Sequence, residues 1–165
     1  MKVFCVVGVS KSGKTTTIEK IIAELVRRGY SVGSIKDIHA ETFSLDTPGE
    51  NTWRHKEAGS EIVAARGRFE TDIMIPKRLE ITELLKWFDN DFVVIEGGRE
   101  EKFPKILTAA DTGEIETRRD SSVFAISGVV SGQNIDIDLP VINALTDIEK
   151  LTDLIELKAE QYEGE

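Results

Sequence analysis

The sequence holds one cysteine, Cys5, among 165 residues. An internal disulfide is excluded, and a reducing compartment, the cytoplasm, is the expected setting. Only two histidines, His39 and His55, accompany it. Three such side chains spread along the chain lack the spacing of a metal site, which counts against a nickel-insertion GTPase. No apolar run approaches the ~18 residues that a membrane span requires. The opening MKVFCVVG reads as a short buried strand rather than a leader with a cleavage site. Basic residues are the minority: 21 Lys and Arg face 30 Asp and Glu, a net charge of −9. That balance argues against a nucleic-acid binder, which would carry a basic surface.

What is present is an ordinary globular balance, 40% hydrophobic and 31% charged. The length fits a single domain over residues 1–165, at roughly 100–200 residues per domain. Charge is uneven. Residues 1–86 carry 14 Lys and Arg against 12 Asp and Glu, whereas residues 87–165 carry 7 against 18. The first half is where an anionic ligand is tolerated, and the acidic second half favours solubility.

Periodicity predicts strands alternating with helices. Lys2–Val7 reads as a buried strand. Thr15–Arg28 reads as a helix with Ile18, Ile21, Ile22, Leu25 and Val26 on one face, closed by Gly29. Tyr30–Lys36 is a second strand, and residues 37–51 form a long polar loop of the kind that usually serves function. Within it, Glu41–Leu45 is only a weak strand candidate. A short helix over Thr52–Ala58 follows, then two short strands, Ile62–Ala65 and Thr71–Ile75. The latter pair reads as a sheet edge or a dimer contact. Ile81–Phe88 is helical. Phe92–Ile95 is an apolar strand ending in Glu96-Gly97-Gly98, and Ile106–Ala109 and Val123–Ile126 are further strands. Asp111-Thr112-Gly113 reads as a hairpin turn. Thr146-Asp147-Ile148-Glu149 fits a capping box opening the last helix, and the acidic end Glu160–Glu165 is expected to fray. The expected fold is a three-layer α/β P-loop NTPase-like one: a mostly parallel sheet with helices on both faces and some added antiparallel strands.

Gly8-Val9-Ser10-Lys11-Ser12-Gly13-Lys14-Thr15 matches G-x-x-x-x-G-K-[ST] in full, after a strand and before a helix. The two glycines let successive N–H groups turn inward as an anion nest, and the helix N-terminus adds partial positive charge. Lys14 reaches the β- and γ-phosphates, and the Thr15 hydroxyl is placed to ligate Mg²⁺. Lys11 reads as a solvated loop charge. A phosphate-bound Mg²⁺ also needs a carboxylate at a neighbouring strand end. Glu96 is favoured, because it ends an apolar strand at the carboxyl edge where open α/β sheets bind ligands. Asp46, in Asp46-Thr47-Pro48-Gly49, is a second acid near the γ-phosphate or an Asp closing a turn. Lys36, His39, Arg54 and His55 flank that loop and are candidates to clamp a second anion. No N-K-x-D base-reading motif occurs. The base is expected near Ser127–Asn134 or Val141–Leu145, and Cys5 is read as core.

The chain resembles the molybdopterin-guanine dinucleotide biosynthesis protein B family, MobB. The matching stretches are GVSKSGKTTTIEKII (Gly8–Ile22), RRGYSVGSIKDIH (Arg27–His39), DTPGENTWRHKEAGS (Asp46–Ser60), DFVVIEGG (Asp91–Gly98) and PKI (Pro104–Ile106). The resemblance implies a homodimeric P-loop protein that binds GTP and Mg²⁺ and hydrolyses GTP weakly. It implies an accessory role beside the nucleotidyltransferase, protein A of the pathway, in joining guanosine monophosphate to molybdopterin. Molybdopterin itself or a molybdoenzyme is a further implied partner; no membrane and no nucleic acid are. It assigns phosphate binding to Gly8, Ser10, Ser12, Gly13, Lys14 and Thr15, with Thr16 near the α-phosphate, and acidic roles to Asp46 and Glu96. This chain departs from the family pattern at Asp37, at Glu50-Asn51-Thr52 and at Gly98, all outside the phosphate loop. Two other classes share the loop. A small-molecule kinase would draw lid cations from Arg66, Arg68, Lys77 and Arg78. A scaffold module would use nucleotide only to set its dimer state.

Overall fold

The computed structural model describes residues 1–40 and 43–164. Glu41 and Thr42 of the expected loop and weak strand, and Glu165 of the expected acidic end, lie outside the described residues. The chain forms two compact units, Met1–Asp37 with Leu85–Glu165, and Ile38–Leu84.

The first unit is built on a sheet of strands β1 (Lys2–Gly8), β2 (Val32–Lys36), β5 (Phe92–Glu96), β6 (Lys105–Thr108) and β7 (Val123–Ser127). Their spatial order is β2-β5-β1-β6-β7, and every neighbouring pair is parallel. The run from Val3 to Val6 is fully buried, as is Val93–Ile95. This is the near-continuous apolar pattern of a parallel sheet covered on both faces. One face carries Phe4, Val6, Phe92, Val94, Ile106 and Ala125, packed with Ile18, Ile21 and Leu25 of α1 (Lys14–Arg27) and Leu151 and Ile155 of α5 (Ile148–Lys158). The alternate residues Val3, Cys5, Val93, Leu107 and Ile126 face the other way and are also fully buried. Cys5 is thus core, and burial raises its thiol to about 12.

Because the strands run parallel, Gly8, Lys36, Glu96, Thr108 and Ser127 all end at one carboxyl edge. That edge is where such sheets hold ligands.

Several expectations change in detail. The Ile81–Phe88 helix stops as α3 (Ile81–Leu85). Phe88 is drawn off the helix to cover Gly33 in β2, where any Cβ would come within 2.3 Å of the Phe88 ring. Asp111 does not make a hairpin turn. It N-caps α4 (Thr112–Arg118), accepting from Glu114 N at 2.9 Å, while the Glu114 carboxylate accepts from Ala110 N at 2.8 Å. The expected capping box at Thr146 is not formed, since Asp147 holds the N-cap position and Thr146 donates to the Asp147 carboxylate at 2.7 Å. Glu160–Gln161 do not fray. They form β8, antiparallel to β1 beside Lys2 and Val3, below the point where β6 begins its pairing.

α1 and α5 are also joined by charge. Glu24 is buried and accepts from both Arg27 and Arg28 at 2.7–2.8 Å. Arg28 continues to Asp153 at 2.7 Å and Glu156 at 3.0 Å. The two guanidinium hydrogen bonds hold the Glu24 carboxyl down at about 2. A depressed carboxylate contributes stability that is present above the unfolded value and is lost as pH falls through the folded one. Glu24→Gln is therefore expected to lower the thermal midpoint by several degrees at pH 7. The gap to the wild type should close between pH 4.5 and 2. Thermal melts across that range check it, and a gap independent of pH would refute the linkage.

The second unit holds α2 (Asn51–Glu57) and a two-stranded antiparallel sheet of β3 (Val63–Arg66) and β4 (Thr71–Met74).

Candidate functional site

The loop after β1 is shaped by backbone conformations that few residues adopt. Gly8 has φ 152°, Gly13 φ 92° and Lys11 φ 65°. Gly13 stands at the N-cap of α1 and offers no side-chain cap, so the first N–H groups of the helix remain open for an anion. The Ser12 side chain is buried beneath the loop. Its hydroxyl donates to Val9 O at 2.9 Å and shares a 2.8 Å hydrogen bond with the Thr108 hydroxyl. Thr108 Oγ1 also lies 3.0 Å from Val7 O, so its single proton goes either to Ser12 Oγ or to that carbonyl. Ser10 and Thr16 are exposed along the loop and the first helical turn.

Strand ends β6 and β7 brace this loop, and sequence reading missed them. Val129 N donates to Ser12 O at 3.1 Å. Gly128, at φ 83°, passes so close that a Cβ there would fall 2.1 Å from Ser12 O. The signal was a threonine ending the apolar strand beside the loop strand and a glycine directly after the apolar strand beyond it. The span Ser127–Asn134 contains the short 3-10 turn Val129–Gly132.

Lys14 folds back over the loop, its ammonium 3.2 Å from the carbonyl oxygens of both Gly8 and Val9. The Thr15 hydroxyl donates to Glu96 Oε1 at 3.4 Å. Lys36 Nζ lies 3.7 Å from the same oxygen. The first unit thus brings together Thr15, Glu96 and Lys36, while the Lys14 ammonium stays on the loop carbonyls. Thr15 and Glu96 present two oxygens 3.4 Å apart beside the Gly8–Thr15 loop, a donor set that suits a hard cation such as Mg²⁺.

Asp46 belongs to the second unit and is already engaged there. Its Oδ1 accepts from the Thr52 hydroxyl at 2.8 Å and from Thr47 N at 3.1 Å, and its Oδ2 pairs with Lys56 Nζ at 2.6 Å. The Lys56 ammonium, with the Thr52 hydroxyl and the Thr47 N–H, holds this carboxyl below the usual range. The carboxylate ties the D-x-P-G turn to α2. Asp46 and Lys56 also line a cavity of about 800 Å³, with His39, Lys77, Arg78 and Phe43. Of the four residues expected to flank a second anion, Lys36 faces Glu96 in the first unit; in the second unit His39 lines the cavity, and Arg54 and His55 are exposed on α2. Arg66 ends β3, Arg68 lies in the hairpin turn, and Lys77 and Arg78 line the cavity.

A family model described as molybdopterin guanine dinucleotide synthesis protein B, MobB, matches residues 3–130. The chain belongs to the MobB family. The molybdopterin-guanine dinucleotide biosynthesis adapter protein of Haemophilus influenzae is 40% identical to it over 107 residues, 62% of this chain and 60% of that relative. The match thus spans less than two thirds of the Haemophilus protein. The Escherichia coli adapter protein of the same name is 30% identical over 156 residues, covering 88% of this chain and 86% of its own. Among solved structures, the crystal structure of Bacillus subtilis MobB aligns with a TM-score of 0.76 at 23% identity, over 98% of this chain and all of that one. The MobB fold, a P-loop NTPase-like α/β sheet with a small antiparallel sheet added, is the one found here. Among the described residues no helix is long and apolar enough to cross a membrane.

Proposed function

We propose that this chain is a GTP-binding adapter with weak GTPase activity in the formation of molybdopterin guanine dinucleotide. The observation that carries the reading is the meeting of Thr15 and Glu96 at the end of the Gly8–Thr15 loop, over which the Lys14 ammonium folds. The nest of loop N–H groups and the open α1 N-terminus receive the phosphates. Lys14 exchanges its two carbonyl partners for phosphate oxygens, a stronger charge-assisted bond. Thr15 and Glu96 hold Mg²⁺, which when bound neutralises the triphosphate. Gly8, Ser10, Ser12, Gly13 and Thr16 shape and line the phosphate cradle.

The adapter role comes from the names of the relatives, and the partner it implies is the pathway's nucleotidyltransferase. The basic side of the second unit's cavity, with His39, Lys56, Lys77 and Arg78, is the place for a second anion such as a pterin phosphate. A homodimer would use the hairpin of β3 and β4, where Phe69 is 93% and Ile73 53% exposed. Unpaired strand edges with apolar side chains favour pairing with another copy.

Calorimetric titration of GTP, GDP and ATP with Mg²⁺ tests the reading. The expected result is tight binding with a preference for guanine and slow turnover. Absence of binding to any nucleoside triphosphate, or turnover above about 1 s⁻¹ without a partner, would overturn it. Capture of the nucleotidyltransferase by the GTP-loaded protein then tests the adapter role.

A further inference from the structure

Lys36 closes β2, and the parallel register sets it directly opposite Glu96, the last residue of β5. The hydrogen bond from Asp37 N to Glu96 O, 2.9 Å long, fixes that register at the strand ends. The Lys36 ammonium approaches Glu96 Oε1 to 3.7 Å, and the Thr15 hydroxyl approaches the same oxygen to 3.4 Å. One carboxylate oxygen therefore faces both the hydroxyl and a cation of the protein's own. The two partners differ in freedom. The Glu96 side chain is 17% exposed and the Lys36 side chain 61%, so the carboxylate is fixed and the ammonium reaches it from solvent on a flexible stem. Ion pairs of this exposed kind are weak and are readily exchanged.

From this geometry we propose that Lys36 is an exchangeable counter-ion that competes with the metal for Glu96. Without nucleotide, the ammonium neutralises the carboxylate and opposes a bare divalent cation at Thr15 and Glu96. A nucleoside triphosphate brings phosphate oxygens to the loop rim, the ammonium transfers to them, and Glu96 is released to the metal. Metal and nucleotide then each favour the binding of the other, by the few-fold that an exposed ion pair is worth. The inference rests on the nucleotide site proposed above, but its first arm needs no nucleotide.

The test is titration of Mn²⁺ into nucleotide-free protein, followed by electron paramagnetic resonance, for wild type, Lys36→Gln and Lys36→Arg. Lys36→Gln should bind Mn²⁺ roughly fivefold more tightly than wild type, and Lys36→Arg should match wild type. The second arm measures GTP binding in EDTA, where Lys36→Gln should lose affinity through the missing phosphate cation. Equal Mn²⁺ affinity in wild type and Lys36→Gln overturns the proposal, whatever the nucleotide does. Absence of GTP binding by the wild type, beside a gain in Mn²⁺ affinity for Lys36→Gln, overturns the nucleotide reading and the transfer of Lys36 to phosphate, and leaves the competition at Glu96 standing.

Discussion

Gly128→Ala should lower folding stability by about 2–6 kcal/mol, adding roughly 1–3 for backbone strain to roughly 1–3 for overpacking. It should also abolish nucleotide binding. Gly128 has φ 83° and ψ −155°, in a region that is essentially reserved for glycine. Its added Cβ would lie 2.1 Å from Ser12 O and 3.0 Å from Thr108 Cβ. The nearest atom is backbone, so no side chain can swing aside. Relief requires moving either the end of β7 or the phosphate loop, and both are tied: Val129 N donates to Ser12 O at 3.1 Å and Val130 N to Ala109 O at 2.9 Å. Urea denaturation measures the first effect and calorimetry with GTP the second. A variant as stable as the wild type would show that this bracing is not rigid. Gly8 is held in the same way from the other side, since its Cβ would fall 2.2 Å from Thr108 O.

The phosphate loop was legible because its spacing, its flanking strand and its helix agree, and each is a local property of the chain. Its bracing was not legible, because Thr108 and Gly128 lie about a hundred residues away and only the strand order puts them under it. Helix α1 shows a subtler limit. Hydropathy placed Val26 on the buried face, yet Val26 is 55% exposed and Glu24 is 6% exposed. The helix is rotated towards Glu24 because Arg27 and Arg28 neutralise that carboxylate and Arg28 carries the link on to α5. The spacing Glu24…Arg28 is a recognised i,i+4 pair, so the signal was present but lost to the apolar count. Asp111-Thr112-Gly113-Glu114 is similar. Asp followed three residues later by Glu signals a helix start, but the Thr-Gly between them reads as a turn. For the candidate site, the strand-end position of Glu96 was legible from the apolar run before it. Its pairing with Lys36 needed the register of two strands far apart in sequence.

Lys14→Ala should separate binding from folding. The Lys14 side chain is only partly buried, and its contacts are two 3.2 Å approaches to the carbonyls of Gly8 and Val9. Those carbonyls stand at the edge of the loop, where water can replace the ammonium, so truncation should leave the denaturation midpoint within about 0.5 kcal/mol of wild type. The nucleotide-bound state differs. There the ammonium would face phosphate oxygens in a partly desolvated cradle, and removing one partner of such a charged hydrogen bond costs about 2–5 kcal/mol. The expected loss of GTP affinity is therefore roughly thirtyfold to several-thousandfold, with the fold intact. Gly128→Ala loses both properties and Lys14→Ala only one, so the pair distinguishes a distorted loop from a missing charge. Retained GTP affinity in Lys14→Ala would mean that the triphosphate does not lie in this loop, and the proposed function would fall with it.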